Sequence, residues 1–321
     1  MRSDKPRILV SRCIEFDHCR YDGHILSSPI VHKLKEHVEF ITVCPEVEIG
    51  LGVPREAIRL VREGENVKLI KSMSGDDHTK AMEMFADDFI RKLPEIHGCI
   101  LKSRSPSCGI KDVKIYPSAG RIASLPGSET GLFGKKILHT LVGIPVEDEG
   151  RLTNLRLREH FLTSVYLLWD FDNLETSMKN LVSFHTRNKY LFMAYNQVKL
   201  KEAGKIVANH ERLNVKDVFT SYRNKLVEII SKIPRYTSNI NVLMHVFGYF
   251  RQNLSKDEKD YYFSNLELYR SRQLPLIALI TIIRAWIERF DDKYLREQTF
   301  LQPYPVELIS SYDSDRGKMY Y

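Results

Sequence analysis

No stretch of this 321-residue chain reaches the roughly 18 consecutive apolar residues that a membrane-crossing helix needs. The opening residues, MRSDKPRILVSR, hold no apolar core ahead of a cleavage site, so a secretory leader is not expected. These two absences make a reducing cytoplasm the expected location, with no membrane partner and no role for disulfides. There is no CxxC pair, which weighs against a structural zinc site built from such pairs. No cysteine follows residue 108: all five, Cys13, Cys19, Cys44, Cys99 and Cys108, lie at or before it. Only two of the 16 tyrosines, Tyr21 and Tyr116, precede residue 150. The first 150 residues also lack any charge excess, with 22 Lys+Arg against 22 Asp+Glu. No internal repeat or low-complexity tract is present, which excludes a repeat array.

What is present divides along the same line. Residues 151–321 carry 26 Lys+Arg and 19 Asp+Glu, so the whole net charge of +7 sits there, together with 14 tyrosines. Hydrophobic residues at 43% and charged residues at 28% are the proportions of a soluble globular chain, and the length suits two domains. The expected division is a catalytic domain over 1–150, a connecting helix over 151–177 and a helical domain over 178–321.

The first half alternates strands and helices. RILVS (7–11), HVEFITVC (37–44), VKLIK (67–71), GCILK (98–102) and a short segment near 142–144 read as strands. Helices are expected at 29–36, 77–93 and 129–141. In the second of these, Met82, Phe85, Phe89 and Leu93 recur at helical spacing, and Asp77 is placed to cap the start. Such alternation implies βαβ units and a parallel sheet flanked by helices, a Rossmann-like α/β fold.

In an open parallel sheet the carboxyl ends of the strands share one edge, where ligands bind. Cys13 lies two residues past the first strand, Cys44 ends the second and Cys108 follows the strand at 98–102. Three thiols from distant segments therefore converge. Cys99 starts a strand and belongs at the opposite edge or in the core. Cys19 follows Cys13 in a loop that either reaches the site or misses it. Taken singly, a cysteine is more simply a small buried residue. Around Cys13, Cys44 and Cys108, however, glycine, proline and polar residues gather, as they do in turns close to a ligand. Three soft thiolates suit a [4Fe–4S] cluster with one iron not bound by cysteine. Glu46 and the serines Ser105 and Ser107 place acid–base and hydrogen-bonding groups beside them, although such residues also cap turns.

Three segments in order, SRCIEFDHCRYDG (11–23), CPEVEIGLGVPRE (44–56) and LKSRSPSCG (101–109), resemble the signature of the TudS family of thiouracil desulfidases over roughly residues 6–150. The resemblance implies a [4Fe–4S] cluster on Cys13, Cys44 and Cys108, with Glu46 and Ser105 as catalytic partners. The first segment departs from the family's more apolar loop, and Cys19 is an extra thiol there. Asp22 of RYDG is a further candidate, for holding a pyrimidine or a water, though an Asp before Gly is also an ordinary turn residue. The implied reaction is hydrolysis of C=S to C=O with release of sulfide, Glu46 acting as general base on water.

The second half reads as all-α, with helices expected over 152–174, 181–196, 214–233, 237–254, 255–271 and 274–296. His185 and Lys189, four apart, and Arg187 between them are candidates for RNA or phosphate contact; a solvated face is the plainer alternative. His245, with Asn241 and Tyr249 a turn away on either side, is similarly either core or contact. FHTRNKYLFMAYN, NVLMHVFGYF, LPLIALITIIRAW and YLREQTFLQPYPVEL resemble the YbgA-type domain over roughly 178–310. That domain behind a TudS-type domain resembles RudS-type enzymes, which remove sulfur from 4-thiouridine in transfer RNA. The resemblance implies a thiolated tRNA partner, which the basic second half suits. A desulfidase of free thiouracil or its nucleotides is the enzyme alternative. A metal-binding regulatory protein with a helical protein-interaction domain is the alternative from another class.

Overall fold

A computed structural model of the chain describes residues 4–309. The helical domain expected over 178–321 therefore extends past the described residues at its end. The chain forms two compact units, one ending at Trp169 and the other beginning at Asp170. Among the described residues no helix is long and apolar enough to cross a membrane.

The first unit contains β1 (Arg7–Ser11), α1 (Pro29–Leu34), β2 (Glu39–Val43), α2 (Pro45–Glu48), β3 (Ile58–Glu63), β4 (Asn66–Lys71), α3 (Thr79–Lys92), β5 (Gly98–Leu101), β6 (Ile115–Tyr116), α4 (Leu132–Thr140), β7 (Val146–Asp148) and most of α5 (Leu155–Asp172). Four of these strands form the expected parallel sheet in the order β2-β1-β5-β7. Central β1 is buried from Ile8 to Ser11, as a strand covered on both faces must be. Ser11 pairs with Val43 and Val10 with Ile100, so the carboxyl ends of β1, β2 and β5 lie level along one edge.

Both faces of β5 are filled. A Cβ on Gly98 would stand 2.7 Å from a Val165 methyl, so only glycine lets α5 pack this close. On the other face Cys99 joins Leu9, Leu101, Met82 and Phe133 in the core under α3 and α4. The expected periodicity of α3 holds: Met82 is buried, and Phe85 and Phe89 pack on Phe133 at centroid distances of 6.1 and 5.8 Å. Asp77 Oδ1 accepts the Thr79 N–H at its start.

Two strand expectations need correction. The 67–71 segment does not join the parallel sheet. It is β4 of a second sheet, ordered β4-β3-β6, where it runs antiparallel to β3. Glu63 pairs with Asn66 across a two-residue turn in which Gly64 takes a φ of +62°, a conformation glycine adopts without strain. The strand expected near 142–144 forms further on, as β7, because Gly143 at φ +88° turns the chain first.

The second unit is all helical: α6 (Met178–Arg187), α7 (Lys189–Tyr195), α8 (Gln197–Ala208), α9 (Val215–Ile229), α10 (Tyr236–Phe250), α11 (Lys256–Arg270), α12 (Leu276–Phe290) and α13 (Lys293–Arg296). Ser255 and Glu258 close a capping box at the start of α11. Phe247, Phe250, Tyr262 and Trp286 build an aromatic core between α10, α11 and α12. The single helix expected over 181–196 is broken at Asn188. Fully buried, its side chain donates to the Phe184 carbonyl (2.9 Å) and accepts from Thr299 (2.7 Å). His185 and Lys189 consequently belong to different helices.

Candidate active site

The level strand ends set the site. Cys13 sits in the turn after β1, Cys44 directly after β2 at the start of α2, and Cys108 in the loop after β5. All three, together with Cys19, line one cavity of about 320 Å³, and all four are buried. The β5 loop is held from behind by α4. A Cβ on Gly131 would fall 2.6 Å from the Ser105 and Ser107 carbonyl oxygens, and one on Gly134 would fall 2.6 Å from that of Cys108.

The thiols interact with one another. Contact with the Cys13 thiol, against an opposing pull from Cys44, pushes Cys19 up to about 11. Contact with Cys19 and then burial push Cys44 well above the usual thiol range. Burial pushes Cys108 up to about 12, although Ser11 and Ser107 hydrogen-bond its sulfur. Cys99 is also raised, but by burial alone, and it stays in the core away from the cavity. Position relative to the strand, and not residue type, separates these two classes of cysteine.

Glu46, two residues into the segment after Cys44, enters the cavity as the second residue of α2. Its Oε2 accepts from Arg55 Nε (2.9 Å) and Nη2 (2.6 Å), and its Oε1 accepts from Ser107 Oγ (2.6 Å). Ser105 stands one step back. Its Oγ lies 2.9 Å from Ser107 Oγ and accepts the Cys108 N–H at 3.1 Å. Ser107 thus makes the direct contact with Glu46, while Ser105 orders the loop that carries Cys108. Sequence reasoning missed Arg55. Its guanidinium also donates to the carbonyls of Cys19 (3.0 Å) and Gly52 (2.8 Å), so one buried arginine ties the carboxylate to the Cys19 loop.

Lys102 was also missed. Its ammonium lies on the cavity wall and donates to Glu149 (2.7 Å) and to Ser103. Asp22 does not line the cavity. It closes a turn, accepting from His24 N (3.1 Å) and Arg20 (3.2 Å). Against slight desolvation, these groups hold its carboxyl below the usual range. The turn role is the one observed.

In the second unit, Arg187 is committed to Asp170 through a forked pair at 2.7 and 2.8 Å. His185 shares a 2.9 Å hydrogen bond with Tyr222, and burial, helped by the Lys189 charge, depresses its basicity. Lys189 is exposed beside the Tyr190 ring. His245 and Tyr249 are exposed on α10, and Tyr190 and Tyr249 share a 3.1 Å hydrogen bond.

Among the described residues, no three His, Cys, Asp or Glu side chains form a set placed to hold a single metal ion. The donors do fit an iron–sulfur group. They are soft thiols, they surround a cavity rather than a point, and two of them, Cys44 through contact with Cys19 and burial and Cys108 through burial, are costly to ionise without a cation. Cys13, Cys44 and Cys108 would hold such a group at the rigid strand ends.

Fold and site together define an α/β protein with a thiol-lined cavity at its strand ends, followed by a helical module. The chain belongs to the 2-thiouracil desulfurase family through residues 8–149 and to the protein-of-unknown-function family DUF1722 through residues 189–305. It is 30% identical to the uncharacterised protein YbgA of Escherichia coli K12 over 151 residues, 47% of this chain and 81% of that one. It is 35% identical to the uncharacterised protein YbbK of Bacillus subtilis 168 over 109 residues, 32% of this chain and 72% of that one. A solved structure of a [4Fe–4S]-dependent thiouracil desulfidase, TudS, shares 30% identity over 48% of this chain and 98% of its own, with a TM-score of 0.37. Both domain types expected from the sequence, TudS-like and YbgA-like, are therefore present.

Proposed function

We propose that this chain hydrolyses the C=S bond of 4-thiouridine in transfer RNA, giving uridine and sulfide in the cytoplasm. The observation that carries the reading is that Glu46 and the three strand-end thiols face one cavity. Desulfuration is the chemistry for which the first unit's family is described. When bound to Cys13, Cys44 and Cys108, a [4Fe–4S] cluster supplies a soft Lewis acid that polarises a thiocarbonyl.

The chain's own residues do the rest. Arg55 fixes one oxygen of Glu46 and leaves the other on the Ser107 side, where it orients a water and takes its proton. Ser105 positions Ser107 and the Cys108 backbone. Overall, C=S and water give C=O and hydrogen sulfide, with no net change in oxidation state. A cavity of about 320 Å³ suits a single pyrimidine base. A nucleotide of folded RNA must therefore be turned out of its stack to react. The helical domain, with all of the net positive charge, presents the RNA, and Lys189 is a phosphate contact.

Anaerobic sulfide release from thiolated tRNA and from free 4-thiouracil tests this. The expected result is a higher kcat/KM for tRNA. Release from the free base alone would replace tRNA with a small thiopyrimidine as substrate. Release from neither would favour a metal-binding regulator.

A further inference from the structure

Among the described residues, the cationic side chains that line the cavity are Arg20, Arg55, Lys102 and Arg104. The first three are committed. Arg55 holds Glu46 and two carbonyls. Lys102 directs the donors of its ammonium to Glu149 and to the carbonyl and hydroxyl of Ser103. Arg20 pairs with Asp22 at 3.2 Å. The Arg104 guanidinium has no partner among the described residues. Arg104 and Tyr21 are the exposed members of the lining, so they mark the mouth of the cavity. The backbone of Arg104 is unusual as well: its φ is +55°, in the left-handed region that favours glycine. The loop is fastened on both sides of it. The Ser103 N–H donates to Glu149 at 2.8 Å, and Ser105 Oγ accepts the Cys108 N–H at 3.1 Å. Glycine at this position would serve the fold better, yet the chain places a long cation there.

We propose that Arg104 anchors a phosphate of the target nucleotide, so that the first unit selects a phosphate-bearing nucleotide over a free base or nucleoside. The proposal rests on the reading that the cavity takes a 4-thiopyrimidine. In such a ring the C=S at C4 lies across from N1, which carries the ribose. With the sulfur turned towards the buried thiols, N1 faces the mouth, and ribose and phosphate leave past Arg104. A guanidinium there presents a planar fork that matches two phosphate oxygens. Its backbone is fixed before the ligand arrives, which lowers the ordering cost of binding. The anchor belongs to the first unit, so it acts on a mononucleotide as well as on a polynucleotide.

The test compares the anaerobically reconstituted full-length wild type with Arg104→Gly and Arg104→Lys. The substrates are 4-thiouridine, its 5′- and 3′-monophosphates, and thiolated tRNA. Glycine suits the left-handed backbone, so Arg104→Gly removes the guanidinium without straining the loop, and its thermal midpoint should be no lower than that of the wild type. In the wild type, kcat/KM is expected to be about tenfold or more higher for a phosphate-bearing substrate than for the nucleoside, with most of the difference in KM. In Arg104→Gly that ratio should fall towards one, and Arg104→Lys should recover part of it. Its fall on a monophosphate assigns the anchor to the nucleotide's own phosphate; its fall on tRNA alone assigns the anchor to a phosphodiester of the RNA chain. A wild-type ratio near one, or a ratio that Arg104→Gly retains on every phosphate-bearing substrate, overturns the proposal and leaves the desulfidase reading intact. Release of sulfide from none of these substrates by the wild type overturns that reading, and the Arg104 proposal with it.

Discussion

Glu46 is held by three hydrogen bonds from two side chains, so its position survives changes that abolish its basicity. Glu46→Gln keeps the shape and should keep iron content, but lose at least about 10²-fold in sulfide-release rate, the usual scale for a positioned base. Unchanged turnover would move the base elsewhere. His185 gives a residue-scale prediction about stability. Burial, then the Lys189 charge, lower its pKa below the ordinary 6.5, so the unfolded chain binds the proton more strongly. Its stability is complete above 6.5 and is lost as pH falls through the depressed value. The thermal midpoint should drop on acidification below about 6.5, and less so in His185→Gln. An identical drop in the variant would assign the acid lability to other groups. Of the site, Cys13, Cys44, Cys108 and Glu46 were legible because strand ends of a parallel sheet share an edge. Arg55 was not, because its reach to Glu46 depends on how the Gly50–Gly52 loop turns back, with φ of +85° and +71° at its glycines. Cys19 and Asp22 share one loop, and no period in the sequence tells which of them faces inward.

The loop carrying Cys108 is shaped by the helix behind it. Gly134→Ala drives a Cβ to 2.6 Å from the Cys108 carbonyl, so backbone must shift. We expect a loss of about 1–3 kcal/mol, typical of overpacking, and a fall in iron retained per chain. A variant with unaltered iron content and thermal midpoint would show that the loop tolerates movement. Long apolar or strongly periodic elements, such as β1, α3 and α12, were legible. The β3–β4 hairpin was missed because IRLVRE mixes charge into a half-buried strand. The break between α6 and α7 was missed because helical spacing continues through it; what stops the helix is a buried Asn188 serving tertiary partners.

At the scale of the molecule, charge is segregated: the first 150 residues are neutral and the rest hold the +7. Not every basic residue there is available to RNA. Arg187 is spent on Asp170, whereas Lys189 is exposed. Lys189→Glu should therefore weaken tRNA binding and lower the log–log salt slope by about one, while Arg187→Glu should chiefly lower the thermal midpoint. Equal salt slopes for wild type and Lys189→Glu would take Lys189 out of the RNA contact. The central claim, that the strand-end cavity converts C=S to C=O, is tested most directly by product analysis of the anaerobically reconstituted full chain on 4-thiouracil and on thiolated tRNA. The account predicts equal amounts of sulfide and of the C=O pyrimidine from at least the tRNA, and neither from Cys44→Ser. A chain with full iron and sulfide content that releases no sulfide from either substrate would contradict it.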